Sequence, residues 1–422
     1  MNVARLLTIF ADQREEILGL DVSNLCDRHE ENSLSLTSSL AQIVIGVRRS
    51  GKSTMCEKFL RQNGVEFAYV NFDDDRLVGM KASDFDNVLD ALYQVYGDFK
   101  YLFIDEIQNV EGWQLFVNRL LRQRVHIFIT GSNSKLLSSE LTTHLTGRHS
   151  RIELYPFSFA EYAVACGVDL TSQSTRCRAL RMNALTEYMR DGGFPELMHE
   201  GNRRVYVDAL VNSIIRTDIA RRFRIRYVEV LRRLAATLCD NFCQEFVASE
   251  LADKFGVSDH TVENYYSYLK EAFLLQGVRK FSYKSTERVR HEKVYVVDVA
   301  FVSEREGTFS TESLGWRLEN IVFIEVLRRC RPLFKDVFYY RDRQWEVDFV
   351  IAANGCVEQL IQVSYDVSMP KTLNREIRGL VNAADKFDCG NLLLVNFDRE
   401  GEVEAGGRTV RLVRAAEWLA RR

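Results

Sequence analysis

The sequence predicts an α/β chain of several domains, one of them built on a parallel sheet, and three observations carry that reading. Four short apolar runs, at 41–46, 66–72, 100–104 and 125–130, alternate with helical patterns, as in a parallel sheet covered on both faces. A glycine-rich loop follows the first run directly, and an acidic pair ends the third. After residue 315 comes a second α/β block: a helix at 316–330, strands at 336–341, 346–352 and 357–364, a helical stretch at 371–387 and a strand at 391–397.

Length and composition fit this reading. A chain of 422 residues has room for two to four domains. Charged residues make up 27% and the formal net charge is −3, which argues against a protein that coats nucleic acid generally and leaves room for a local basic surface. The nine cysteines include no CxxC pair and read as reduced thiols of a cytoplasmic protein rather than as a zinc site. No signal-peptide core and no membrane-length apolar stretch is found.

Residues 41–46 read as a buried strand entering a glycine turn. Gly46, Val47, Arg48, Arg49, Ser50, Gly51, Lys52 and Ser53 then fit GxxxxGK[ST], and Thr54 opens a helical segment to Gln62. In that context glycines let backbone N–H groups approach phosphates. Lys52 reaches the β and γ phosphates of ATP, and the Ser53 hydroxyl ligates Mg²⁺. Tyr101–Glu106 is an apolar strand ending in two acids. Asp105 is expected to hold Mg²⁺ and Glu106 to orient and deprotonate the attacking water. At the tip of the fourth run, Ser132 or Asn133 is expected near the γ-phosphate, with a helix N-cap as the alternative role. Arg148 is expected to reach a phosphate in its own subunit or a neighbour's site, with Arg151 as the second candidate. Arg48 and Arg49 are expected near nucleotide or at a subunit contact.

These motifs together resemble a large prokaryotic family of AAA-type ATPases. The residues that carry the resemblance are Gly46–Thr54, Phe103–Gln108, Ile129–Ser132, Thr146–Arg148 followed by Tyr155–Phe159, and Gly192–Glu196. It covers nearly the whole chain. It implies a P-loop AAA-type parallel-sheet core with a helical lid, a winged helix and a C-terminal α/β domain resembling a degenerate nuclease. On this basis the chain divides into an N-terminal helical, polar segment at 1–40, the core at 41–158, the lid at 159–228, the winged helix at 229–300 and the nuclease-like domain at 301–422.

Residues 246–275 read as helix-turn-helix, with Ser258 as N-cap of a second helix whose apolar side carries Val262, Tyr265, Tyr266, Leu269 and Phe273. Strand-like segments at 277–282 and 293–297 would form a wing. Between and within them lie Lys280, Lys284, Arg288, Arg290 and Lys293, against Glu287 and Glu292. Lys280, Lys284, Arg288 and Arg290 are expected to contact DNA through its backbone and shape. A packing surface for protein is the competing reading, since the second helix carries Glu263, Glu271 and only Lys270. A basic run at Arg203–Arg233 adds modest support to the DNA reading.

In the last block, Glu319, Asp348, Gln362 and Ser364 stand where metal-dependent nucleases place E…D…ExK. A neutral amide at 362 binds Mg²⁺ weakly, and a serine at 364 cannot supply a lysine's charge. The domain is therefore expected to keep the fold for binding and to have lost the chemistry. The sequence as a whole points to a ring-like homo-oligomeric ATPase with ATP and Mg²⁺, acting on DNA or a DNA-bound complex and not on membranes. The alternatives are a nucleotide-dependent switch with a protein partner and an ATP-regulated nuclease.

Overall fold

The structure is a computed structural model that describes residues 1–22, 25–132, 145, 147–282, 291–303 and 311–421. The chain forms two compact units. One is Met1–Pro156 with Glu271–Phe273; the other is Phe157–Lys270 with Leu274–Arg422.

The first unit begins with α1 (Val3–Gly19), capped by the Asn2 side chain on the Arg5 N–H. The expectation of a polar N-terminal segment is corrected here. Leu6, Ile9, Phe10 and Ile17 recur at helical spacing and are buried, and α1 packs on α3 (Phe85–Tyr96) and β2 (Phe67–Asn71). Among the described residues of this segment, helix is confined to 3–19 and a 3₁₀ turn at His29–Ser33.

The remaining elements are β1 (Ala41–Ile45), α2 (Lys52–Gln62), β3 (Tyr101–Asp105), α4 (Trp113–Arg122), β4 (His126–Gly131) and β5 (His149–Glu153). The five strands form one parallel sheet in the order β2-β3-β4-β1-β5. Val44, Phe103 and Phe128 meet Met55 and Leu60 of α2 in the core. Strand β5 has no long apolar run to announce it in the sequence. Because all strands run the same way, the loops after β1, β3 and β4 emerge at one edge, where parallel sheets place their ligands.

The second unit opens with α5 (Phe159–Ala165), α6 (Thr175–Asp191) and α7 (Arg203–Ser213), the last running into a π-helical stretch at Ile214–Ala220. Next come α8 (Val228–Asp240), β6 (Gln244–Glu245), α9 (Ala248–Phe255), α10 (Asp259–Glu271), β7 (Leu275–Lys280) and β8 (Glu292–Val296). Gly256 ends α9 in the left-handed region, and the Ser258 hydroxyl accepts from the Thr261 N–H at the start of α10. The C-terminal part is α11 (Thr311–Cys330), β9 (Asp336–Arg341), β10 (Glu346–Ala353), β11 (Cys356–Ser364), α12 (Pro370–Phe387), β12 (Leu392–Asn396), β13 (Gly401–Ala405), β14 (Arg408–Arg414) and α13 (Ala415–Ala420).

One nine-stranded mixed sheet, β13-β14-β12-β11-β10-β9-β7-β8-β6, runs through this unit. The strands expected as a wing are thus continuous with those of the last block, joined where Arg279 and Lys280 pair in parallel with Phe338 and Tyr339.

The Gly192-Gly193 pair shapes the turn after α6. Gly193 donates to the buried Asp298 carboxylate at 2.9 Å, and a Cβ at Gly193 would lie 2.3 Å from the Phe157 carbonyl oxygen. Gly193→Ala is therefore expected to destabilise the protein by about 1–3 kcal/mol through overpacking, read as a lower denaturation midpoint. An unchanged midpoint would mean that the turn has room the structure does not give it.

Candidate functional site

The loop after β1 is built for close backbone approach. A Cβ on Gly46 would sit 2.0 Å from the Leu154 carbonyl oxygen, so no larger residue fits there. Arg49 and Gly51 adopt positive φ, and α2 starts at Lys52 with no side chain capping its first turn. The N–H groups of that turn therefore form an anion site with the positive end of the helix dipole behind them. The Lys52 ammonium is buried and donates to the Val47 carbonyl at 3.0 Å. Arg48 lies 3.9 Å from Asp73, while Arg49 is exposed.

Asp105 ends β3 and is buried. It accepts from the hydroxyl of Thr130 on β4 and from that of Ser53. Burial pushes its carboxyl up to about 6, with Glu106 adding to the rise and Thr130, Ser53 and Lys52 opposing it. A buried carboxylate beside a second acid and a serine hydroxyl is a hard-oxygen donor set that a divalent cation would relieve, so the residues fit Mg²⁺. Glu106 takes left-handed backbone angles (φ 50°, ψ 40°), uncommon outside glycine. Its carboxylate accepts from the Gln108 amide and from the Ser132 hydroxyl at 3.2 Å. The loops after β1, β3 and β4 thus bring together Lys52, Ser53, Asp105, Glu106 and Ser132.

Asn133 lies outside the described residues. Arg148 is exposed just before β5 and is placed by its backbone: its N–H donates to the Leu145 carbonyl at 2.8 Å and its carbonyl accepts from the Ala41 N–H at 3.0 Å. Arg151 pairs with Glu153 on its own strand.

Sequence reasoning missed three contributors. Thr130 and Gln108 carried a faint signal, as polar residues beside the motifs they serve. Arg28 carried none, because it sits in an aperiodic polar stretch 18 residues before Gly46. Its buried guanidinium donates to the Ser50 carbonyl at 2.9 Å and to the Tyr155 carbonyl at 2.6 Å. It thereby ties the phosphate-loop backbone to the chain beyond β5. The segment bearing Arg28 is anchored to α2 by the buried Lys58, which reaches Asp27 and lies 3.2 Å from Glu31.

In the second unit, Glu319 of α11 and Asp348 of β10 do converge, but around a lysine. Lys293 was expected on a basic surface; it is buried, and that expectation is corrected. Its ammonium lies 3.5 Å from Glu319 and 3.8 Å from Asp348 and pairs with Glu346. Burial opposes its charge, but the carboxylates outweigh it and hold Lys293 protonated beyond the ordinary lysine range. Gln362 accepts from the Asp348 N–H at 3.2 Å and donates to Glu376 at 3.0 Å, while Asp348 accepts from the Val363 N–H at 2.9 Å. The amide at 362 has a partner at each end, which a carboxylate facing Glu376 would lack.

Of the expected DNA contacts, Lys280 ends β7 and is half-buried, while Lys284, Arg288 and Arg290 lie outside the described residues. Lys270 pairs with Glu292 at 2.9 Å. In the basic run, Arg203 pairs with Asp191 and Arg232 with Glu229. All nine cysteines are free thiols. Among the described residues no helix is long and apolar enough to cross a membrane.

A family model described as an AAA domain matches residues 38–163, and one for a domain of unknown function, DUF8612, matches 182–312. An uncharacterized protein of Methanocaldococcus jannaschii is 31% identical over 380 residues, covering 87% of this chain and 84% of its own length. An uncharacterized protein of Haemophilus influenzae is 30% identical over 394 residues, covering 90% and 94%. Among solved structures, the RuvB Holliday junction branch migration motor of Thermotoga maritima aligns over 65% of this chain and 88% of that chain, at 17% identity and a TM-score of 0.29.

Arg28→Met frees the Ser50 carbonyl from its guanidinium and should lower nucleotide turnover by roughly 10–100-fold, as displacement of a positioning group does. Arg28→Lys should recover only part, since one ammonium cannot fork to two carbonyls as a guanidinium does. Full recovery by lysine would show that charge alone matters. Lys293→Met leaves Glu319 and Asp348 buried without their cation and should cost about 3–5 kcal/mol in chemical denaturation. A loss under about 1 kcal/mol would contradict a buried ion cluster.

Proposed function

The chain belongs to the same family as its uncharacterized Methanocaldococcus and Haemophilus relatives and matches an AAA domain at residues 38–163, and from that premise we propose that it is an oligomeric ATPase acting on DNA or a DNA-bound complex. The observation that carries the ATPase reading is the convergence of Lys52, Ser53, Asp105, Glu106 and Ser132 from three neighbouring loops at one edge of the sheet. Residues Gly46–Thr54 would wrap the phosphates. Lys52 would turn from the Val47 carbonyl toward the β and γ oxygens. Ser53 and Asp105 would hold Mg²⁺, which neutralises charge on the phosphates when bound. Glu106, steadied by Gln108, would take the proton of the attacking water, and Ser132 or Asn133 would report the γ-phosphate. Arg148, whose side chain is exposed, would serve a neighbouring subunit in a ring; Arg151 is the less suited of the two because Glu153 already neutralises it.

The helices α9 and α10 with β7 and β8 read as a winged helix, and DNA contact is assigned to Lys280 with Lys284, Arg288 and Arg290. The last block reads as a nuclease-like fold without nuclease chemistry. Lys293 stands among the carboxylates where a metal would go, and Gln362 is committed to Asp348 and Glu376.

A second reading, a nucleotide-dependent switch docking a protein partner, is favoured by one observation. The outward side of α10 offers Asp259 and Glu263, and its one lysine is already paired to Glu292.

ATPase turnover with and without duplex, single-stranded and branched DNA tests both. Wild type should hydrolyse ATP faster with DNA. Lys52→Ala should lose binding or turnover, and Glu106→Gln should bind ATP but hydrolyse it slowly. Wild-type turnover in Glu106→Gln would remove the base assignment. Turnover indifferent to every DNA would hand the lead to the switch.

A further inference from the structure

We propose that a groove in the second unit is a binding site for the phosphodiester backbone of nucleic acid; this deepens the DNA reading above and rests on it. The groove encloses about 580 Å³ and is formed by Lys280 at the end of β7, His291 before β8, Arg341 and Arg343 at and beyond the end of β9, and Lys386 in the last turn of α12. Lys280 and Lys386 are far apart in sequence and meet here only because β7 joins β9 in one sheet.

Among the described lining residues, four permanent cations face two carboxylates, Glu245 and Asp342, and both carboxylates are engaged in building the walls. Asp342 accepts from the backbone N–H groups of Gln344 and Trp345, each at 2.8 Å, and from the Tyr340 hydroxyl at 2.8 Å. Those bonds fix the turn that presents Arg343. Glu245 accepts from the Tyr339 hydroxyl at 3.0 Å and lies 3.5 Å from Arg341 and 3.7 Å from His291. Lys386 is steered toward the groove by its bond to the Tyr340 hydroxyl at 2.8 Å. Among the described residues no carboxylate lies within ion-pair distance of Lys280 or Arg343. These two cations therefore border a concavity whose acids are already taken.

The floor decides what class of ligand fits. Phe281 and Tyr340 each pack edge to face on Phe387 with ring centroids 4.9 Å apart, and all three are buried. Each of the three is less than a tenth exposed, so the groove offers a base little ring face to stack on. Positive charge approaching from three elements suits oxyanions that accept from several directions, as a run of phosphates does. Recognition through backbone phosphates makes the site indifferent to base sequence.

The test is fluorescence anisotropy of the full-length protein with labelled 20-mer duplexes of two unrelated sequences, over a salt series. The variants are Lys280→Ala with Arg343→Ala, and Lys280→Arg with Arg343→Lys; melting curves establish that both fold. The alanine pair should weaken both duplexes by a similar factor, about tenfold, and make the slope of log affinity against log salt shallower by about 2, roughly one for each phosphate no longer neutralised. The charge-preserving pair should retain both affinity and slope. If wild type binds duplex and the folded alanine pair binds equally well, the groove is not the site while the DNA reading stands. If wild type binds no duplex at low salt, with or without ATP, the DNA reading and the groove fall together. Binding of a poly-glutamate peptide in preference to duplex would likewise overturn the proposal, in favour of an acidic protein segment.

Discussion

Much of the first unit is arranged around a single costly group, the buried carboxylate of Asp105. An apolar parallel sheet cannot leave an ionised acid at its edge without partners. Two are supplied from opposite sides in sequence, the Thr130 hydroxyl from the end of β4 and the Ser53 hydroxyl from the start of α2. Satisfying Asp105 therefore brings the loops after β1, β3 and β4 to one place. The raised carboxyl is the consequence of that burial, which a bound divalent cation would relieve.

Rigidity around that point comes from outside the motifs. Gly46 lets the loop pass against Leu154, and Arg28 ties Ser50 to Tyr155. The loop is thus braced on both sides before any ligand arrives, which lowers the ordering cost of binding a phosphate chain. The left-handed backbone of Glu106 serves the same placement: the strand ends on Asp105 facing inward, and an abrupt turn aims the next carboxylate at Ser132 and Gln108.

The second unit deals with buried charge in a different way. Glu319, Glu346 and Asp348 receive their counter-charge from within the chain, through Lys293, and Gln362 replaces a would-be repulsion with a donated hydrogen bond to Glu376. A tethered ammonium thus occupies the space among the three carboxylates, and removing it would leave them without a counter-charge. The same sheet carries Lys280 on β7 and Arg341 on β9, two of the cations of the basic groove.

The sequence by itself determined the α/β class, the four apolar strands of the first sheet, the phosphate loop and the acidic pair. Each rests on local chemistry: a glycine that must be small, a helix start that must offer N–H groups, an apolar run that must be buried. It also carried the strands at 336–341, 346–352 and 357–364, because alternation and turn residues are local signals too. What only the tertiary structure decided are the partners that local patterns cannot name. Arg28 lies in an aperiodic stretch, yet its guanidinium reaches carbonyls 22 and 127 residues away. Lys293 sits among basic residues in sequence and among acids in space. Strand β5 pairs with β1 although its own residues are largely polar. A charged side chain looks the same in sequence whether it faces water or a buried carboxylate, and only the fold assigns it a neighbour.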